Sequence, residues 1–273
     1  MKKLRANLKT TAEKEKALED ILGGFESVLV AFSGGVDSTY LLYKAVRILG
    51  EDRVLAVTID SPLIPFEEIK AAAELAQRLK VKHLSFKIDL LTSRELSNNP
   101  PERCYICKKM IYENLLDLAE KHGCKVVLDG SNFDDDSVYR PGLFALRELQ
   151  IKSPLLESSL RKEEIRALSK AAGLASWNKP AAACLATRIP YGEEINPDKL
   201  DLIARAEYSL RQSGITRELR VRCHGNLARI EVNAEDLEVI IKKREEIYER
   251  LNDLGFTYIT LDLGGFQSGS MDR

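Results

Sequence analysis

The segment Leu29-Val30-Ala31-Phe32-Ser33-Gly34-Gly35-Val36-Asp37-Ser38 constrains this chain more than any other. An apolar, strand-like run reaches a Ser-Gly-Gly turn, and Thr39–Leu49 then reads as a helix from its apolar spacing. Glycines at such a turn let the backbone come close to a ligand, and the free N–H groups at the helix start favour anionic oxygens. Ser33, Ser38 and Thr39 add hydroxyls, and Asp37 adds a carboxylate. The pattern is that of a phosphate cradle. It lacks the Gly-Lys-Ser/Thr ending of a Walker A loop and the Gly-x-Gly-x-x-Gly of a dinucleotide fold. A tight turn without a ligand is the bland alternative.

The surrounding pattern alternates strands with helices. Ser27–Phe32, Arg53–Ile59, Val81–Ile88 and Lys125–Leu128 read as strands. Residues 9–23, Phe66–Leu79, Cys107–His122 and Arg161–Gly173 read as helices, the last with Ser158 and Ser159 as candidate caps. This order implies an α/β fold with a doubly wound parallel sheet, in which ligands bind beyond the carboxyl ends of the strands. Ser33, Asp60 and Asp129 all fall at such ends. After about residue 190 the pattern changes. Pro197–Ser213 reads as a helix, Leu219–Arg222 and Ala228–Val232 as antiparallel strands, Ala234–Leu254 as one long helix and Tyr258–Asp262 as a last strand. Two domains are expected: residues 1–190, and a smaller α+β domain over residues 191–273.

Composition narrows the function classes. A formal net charge of −1 gives no basic field for nucleic acid, so no nucleic-acid partner is expected. No apolar run has the length of a membrane span, and no apolar stretch follows the basic residues near Met1, so a cytoplasmic protein is expected. Five cysteines, an odd count, argue against a secreted disulfide scaffold.

Further residues suggest chemistry. Cys104-Tyr105-Ile106-Cys107 is a Cys-x-x-Cys pair able to chelate a metal or form a redox disulfide, and Arg103, Lys108 and Lys109 nearby would favour thiolates. Inert thiols are the bland alternative. Cys184 follows three alanines that leave room around its sulfur, whereas Cys124 and Cys223 have plainer settings. Asp129-Gly130-Ser131-Asn132 places Asp129 and Ser131 in a turn after the fourth strand, and Asp134-Asp135-Asp136 is either part of a site or a solvated loop. Arg220 and Arg222 share one strand face and suit bidentate phosphate binding, or else a salt-bridged face.

Ser33–Ser38 resembles the PP-loop, the pyrophosphate-binding motif of enzymes that split ATP into AMP and pyrophosphate. On that resemblance Ser33, Gly34, Gly35, Asp37 and Ser38 hold pyrophosphate, with Mg²⁺ at Asp37, and Asp60 lies near the adenine. Several motifs occur together and in order: Ser-Gly-Gly-Val-Asp-Ser, Arg-Cys-Tyr-x-Cys-Lys, Asp-Gly-Ser-Asn, Lys-Pro-Ala-x-x-Cys-Leu-Ala-x-Arg-Ile-Pro-Tyr-Gly, Arg-Val-Arg-x-His-Gly and Gly-x-x-Ser-Gly-Ser. This combination resembles the LarE family of ATP-dependent sulfur transferases, which act in nickel-pincer nucleotide biosynthesis, along almost the whole chain.

The resemblance implies that a carboxylate of a pyridinium dicarboxylate mononucleotide is adenylated and then receives sulfur. One branch of the family sacrifices the cysteine at the position of Cys184. Another holds a [4Fe-4S] cluster on three cysteines, which here would be Cys104, Cys107 and Cys184. Three cysteines favour the cluster branch. Arg220 and Arg222 would bind the substrate phosphate, Arg188 belongs to the cofactor-binding set, and Glu207 and Glu231 are neighbours of that site. A homo-oligomer, trimer or hexamer, is implied. A tRNA-thiolating PP-loop enzyme and a non-catalytic ATP-binding regulator are the rival readings.

Overall fold

The computed structural model describes residues 10–137, 141–180 and 183–267, with the side chains of 136 and 137 left aside. In chain order the elements are α1 (Thr11–Gly23), β1 (Val28–Ala31), α2 (Val36–Leu49), β2 (Val54–Asp60), α3 (Phe66–Arg78), β3 (Lys82–Lys87), α4 (Arg94–Ser97), α5 (Arg103–Lys121) and β4 (Val126–Leu128). There follow α6 (Pro141–Glu148), α7 (Pro154–Glu157), α8 (Lys162–Ala171), α9 (Pro197–Gln212), β5 (Leu219–His224), β6 (Leu227–Val232), α10 (Leu237–Lys242), α11 (Arg244–Asp253) and β7 (Tyr258–Leu261). The chain divides into two compact units. The first comprises residues 1–61, 66–90 and 102–181, and the second residues 62–65, 91–101 and 182–273.

The first unit is built on a four-stranded parallel sheet in the order β3-β2-β1-β4. β1, β2 and β4 are mostly apolar and buried on both faces, as a sheet covered on both sides requires, whereas the edge strand β3 is partly exposed. Val28, Val30, Phe32, Val54, Ala56 and Leu128 join one buried cluster with side chains of α1, α2, α3, α7 and α8. Leu29, Leu55, Val57 and Val127, one residue out of phase, are equally buried but lie outside that cluster. The two-residue period of a strand sends them to the opposite face, where α5 packs against β1 and β4. The sheet is therefore doubly wound, as the sequence implies. The chain steps outward from β1 to β2 and β3, then returns to place β4 on the other side of β1. That reversal is the topological switch point where such folds bind ligands.

The second unit carries the sheet β5-β6-β7. β5 and β6 form an antiparallel hairpin closed by Gly225-Asn226, with Gly225 at positive φ. β7, reached through α10 and α11, pairs with β6 in parallel rather than antiparallel fashion. A helical crossover returns a strand in the same direction, which accounts for the parallel pairing.

Several boundaries also differ from the sequence reading, α2 among them, which starts at Val36 rather than Thr39. The helix expected from Cys107 begins at Arg103, so Cys104 is helical as well. Arg161, not Ser158 or Ser159, precedes the first turn of α8, and its N–H donates to the Glu164 carboxylate (2.8 Å). The helix expected over Ala234–Leu254 breaks at Lys243, whose ammonium donates to the Ser213 carbonyl (2.9 Å).

The turn from β1 into α2 depends on its first glycine. Gly34 lies at φ +68°, and a Cβ there would stand 3.0 Å from the Cα and Cβ of Ala72 on α3. Gly35, at φ −76°, would meet only the movable Ser33 hydroxyl. Gly34→Ala is expected to cost about 1–3 kcal/mol of unfolding free energy, from backbone strain and overpacking. Gly35→Ala should cost less than about 1 kcal/mol, because that position is an ordinary helix cap. Urea denaturation of the two variants checks the contrast.

Candidate functional site

Beyond the carboxyl end of β1, Phe32 makes a last sheet hydrogen bond, its N–H donating to the Val57 carbonyl (2.8 Å). Ser33, Gly34 and Gly35 then turn the chain into α2. The turn is cross-braced by its own side chains. The Ser33 and Ser38 hydroxyls lie 3.0 Å apart, and the Ser33 and Gly35 N–H groups donate to Ser38 Oγ and Ser33 Oγ (3.3 Å each). The first turn of α2 directs its N–H groups toward this turn, which gives it the positive end of the helix dipole.

Asp37 sits in that first turn, and burial pushes its carboxyl above the ordinary aspartate range while Lys162 opposes the shift. One carboxylate oxygen accepts from the Lys162 ammonium at 2.5 Å. The other, Oδ1, is buried with no hydrogen-bond partner. A half-satisfied buried carboxylate beside a phosphate cradle suits a hard divalent cation, so these residues fit Mg²⁺. Lys179 donates to the Gly34 carbonyl (3.3 Å) and pairs with Glu68 (2.7 Å). Sequence reading did not single out either lysine. Lys179 stands in the Lys-Pro-Ala motif, whereas Lys162 carries no local signal.

The other two strand ends border the same edge of the sheet. Asp60 closes β2 and is half-buried. Asp129 follows β4 and is buried among donors: Tyr112 Oη (2.6 Å), the Ser131 N–H (2.7 Å), Ser153 Oγ (3.4 Å) and Lys108 Nζ (3.4 Å). Burial alone would raise its pKa, but Lys108 and the Ser131 and Tyr112 hydrogen bonds outweigh it and hold the carboxyl below its ordinary value. A Cβ on Gly130 would meet Ser38 N and Cα at 3.2 Å. The Asp129–Ser131 turn thus lies directly against the cradle. Asp134 accepts from the Lys162 N–H (2.9 Å) and pairs with Arg161 (2.8 Å), while Asp135 accepts from the Asn132 N–H (2.9 Å). These two aspartates brace the loop.

Cys104 and Cys107 occupy the first turn of α5, three residues apart and therefore on one face, exposed and half-buried respectively. None of the five cysteines is joined to another in a disulfide. Lys109 is paired with Glu148 (2.6 Å) and Lys108 with Asp129, so neither is reserved for the thiols. Thiolates are the right donors for an iron–sulfur cluster, and α5 supplies two. The third expected donor, Cys184, belongs to the second unit. Among the described residues no group of three or more His, Cys, Asp or Glu is gathered to hold a metal ion. Burial pushes the Cys124 and Cys223 thiols up, away from nucleophilic thiolates.

In the second unit Cys184 precedes a short 3₁₀ turn, Leu185–Arg188. Residues 181 and 182, shortly before it, lie outside the described residues, as does the end of the Gly-x-x-Ser-Gly-Ser motif. Arg188 is buried and bidentate with Glu207 (2.8 and 3.0 Å), and Arg222, 0% exposed, is bidentate with Glu231 (2.9 and 3.0 Å). Arg220 is 9% exposed, and its guanidinium lies over the Phe266 ring at 4.5 Å. Among the described residues no carboxylate pairs with it. Burial, with the neighbouring Arg188 and Arg222 cations, lowers its pKa. A desolvated cation beside two others makes a strong seat for an anion.

Comparison with known proteins agrees with this geometry. The family model for NAD synthase matches residues 12–116, from α1 through the cradle into α5. The chain is 39% identical over 263 residues to the pyridinium-3,5-bisthiocarboxylic acid mononucleotide synthase of Lactiplantibacillus plantarum, covering 96% of this chain and 95% of the other. It is 38% identical over 262 residues to an uncharacterized protein of Synechocystis sp., with 95% and 97% covered. To an uncharacterized protein of Methanocaldococcus jannaschii it is 33% identical over 266 residues, with 97% and 96% covered. Identity at this level, along nearly the whole of each chain and on a PP-loop domain, makes this protein a member of the LarE family, that of the bisthiocarboxylic acid mononucleotide synthase.

Proposed function

We propose that this protein is an ATP-dependent sulfurtransferase that converts a carboxylate of a pyridinium dicarboxylate mononucleotide into a thiocarboxylate. The observation that carries this reading is the full-length similarity to the L. plantarum synthase, to which the Ser33–Ser38 turn adds a seat for ATP. The Gly34 and Gly35 backbone and the Ser33 and Ser38 hydroxyls receive the departing phosphates, Asp37 receives Mg²⁺, and Asp60 borders the adenine. Asp129 and Ser131 fix the turn that abuts the cradle. Residues 1–190 form the ATP domain and residues 191–273 the substrate domain, where Arg220, beside the Arg222 cation, receives the substrate phosphate.

The chemistry balances in two steps. A carboxylate oxygen attacks the α-phosphorus of ATP and pyrophosphate leaves, giving an acyl adenylate. A sulfur nucleophile then attacks the acyl carbon and AMP leaves with the original oxygen. Adenylation matters because AMP is a far better leaving group than oxide. Cys104, Cys107 and Cys184 hold a [4Fe-4S] cluster in this reading, which when bound supplies the sulfide. The protein works in the cytoplasm as a trimer or hexamer, without nucleic acid.

A second reading rests on Cys184 alone, the half-buried thiol that precedes the Leu185–Arg188 turn. Here Cys184 is itself the sulfur donor. Its thiolate displaces AMP to form a thioester, loss of the Cα proton then breaks the Cβ–S bond, and dehydroalanine remains.

With substrate present, wild-type protein is expected to release AMP and pyrophosphate in equal amounts. Asp37→Asn should slow pyrophosphate release by about a hundredfold or more, the usual scale for losing a charge-stabilising group. ATP bound but never split would overturn the enzymatic reading. Cys184→Ala should abolish sulfur transfer on either route, so turnover by this variant removes Cys184 from the chemistry. Cys104→Ala separates the routes, because it spares a single sacrificial turnover and destroys cluster-based turnover. Intact-mass measurement after reaction gives the same answer independently: a loss of about 34 Da, one H₂S, at Cys184 marks sacrifice of that nucleophile.

A further inference from the structure

The second unit contains three neighbouring arginines, which sequence reading groups together as binding residues. Their geometry divides them. Arg188 uses Nε and Nη2 on Glu207, and its Nη1 donates to three acceptors of the Cys184 loop: the Ala183 carbonyl (3.0 Å), the Cys184 carbonyl (3.2 Å) and Thr187 Oγ1 (2.9 Å). Arg222 uses Nε and Nη2 on Glu231, and its Nη1 donates to the Thr187 carbonyl. The Thr187 hydroxyl donates to the Cys184 carbonyl (2.8 Å). Glu207 Oε1 also accepts the Val221 N–H of β5 (3.0 Å), which ties the assembly to the sheet. Two buried ion pairs therefore direct their remaining donors to carbonyls around one cysteine. Arg220, between them in sequence, makes none of these bonds.

We propose that Arg188–Glu207 and Arg222–Glu231 form a positioning frame that fixes the backbone presenting Cys184, and that recognition of the substrate phosphate falls to Arg220 alone. An arginine already bidentate to a carboxylate and bound to a carbonyl has no fork left to offer a phosphate. The carbonyl side of the Cys184 peptide is held by Arg188 and Thr187, so the direction of its Cα–Cβ bond is set before any ligand arrives. Arg188 and Arg222 are positioning residues in this assignment, and Arg220 is the ligand contact. The assignment rests on the reading of Cys184 as a participant in sulfur transfer.

The test uses the full-length protein and a probe that does not depend on turnover. Arg188→Met with Glu207→Gln removes the ion pair without leaving a lone buried charge, and the amide oxygen that replaces the carboxylate can still accept the Val221 N–H. Thermal unfolding establishes that the double variant folds. Its expected signature is hydrogen exchange at residues 184–189 faster by about tenfold or more, with the β5 and β6 amides unchanged. Alkylation of Cys184 by iodoacetamide, followed by peptide mass spectrometry, should change about severalfold as the loop loosens. In steady state the double variant should lower kcat with the substrate KM preserved, while Arg220→Met should raise KM about tenfold or more with Cys184 alkylation unchanged.

A double variant that raises KM like Arg220→Met, with normal exchange and alkylation, would make Arg188 a substrate contact and overturn the proposal. If the double variant unfolds, Thr187→Val, which removes the acceptor of Arg188 and the donor to Cys184, carries the same exchange and alkylation test. Turnover by Cys184→Ala would refute the chemical role of Cys184 while leaving the exchange and alkylation results to judge the frame.

Discussion

A parallel sheet whose strand order reverses at β1 leaves one crevice in which chain can approach from both sides, and a helix N-terminus must fit there without crowding α3. The fit depends on a residue with no side chain at φ +68°, since any Cβ at Gly34 would press on Ala72. From that constraint follow the direction of α2 and the placing of Asp37 in its first turn. The burial of Asp37 follows too, which makes its pairing with Lys162 necessary rather than ornamental. The Asp129 turn packs against Ser38 as closely as it does only because Gly130 is also bare.

The second unit is organised on a different principle. The segment that carries Cys184 is a loop, and loops hold position poorly unless their carbonyls are bound. Here the binding comes from two buried Arg–Glu pairs. Deleting one member of such a pair leaves an uncompensated buried charge and costs about 3–5 kcal/mol, whereas replacing both with neutral groups is often tolerated. The pairs are thus weak evidence for added stability and strong evidence for a required geometry.

Much of this was legible in the sequence, for identifiable reasons. Strand ends at Ser33, Asp60 and Asp129 follow from apolar runs that stop at polar turns, and the parallel sheet follows from their alternation with helices. Arg220 and Arg222 were legible as neighbours on one strand face, but not as opposites in role, because the sequence does not say that Glu231, opposite Arg220 in register, bonds Arg222 instead. Lys162 was invisible. It lies 125 residues from Asp37, and only the return of the chain to α8 brings them together. The long helix expected after Ala234 failed because charge periodicity continues unbroken through Lys243, where the backbone does not.

The α5 helix has a consequence of a mechanical kind. Its first turn displays Cys104 and Cys107, and its next turns send Lys108 and Tyr112 into Asp129. With a rise of about 1.5 Å per residue, the thiol pair and the grip on the strand end lie within roughly two turns of one rigid rod. The rod is indexed against the sheet at Asp129, next to the Gly130 that abuts Ser38. The thiols are therefore surveyed from the same benchmark as the Ser33–Ser38 turn, and neither can drift in register without the other.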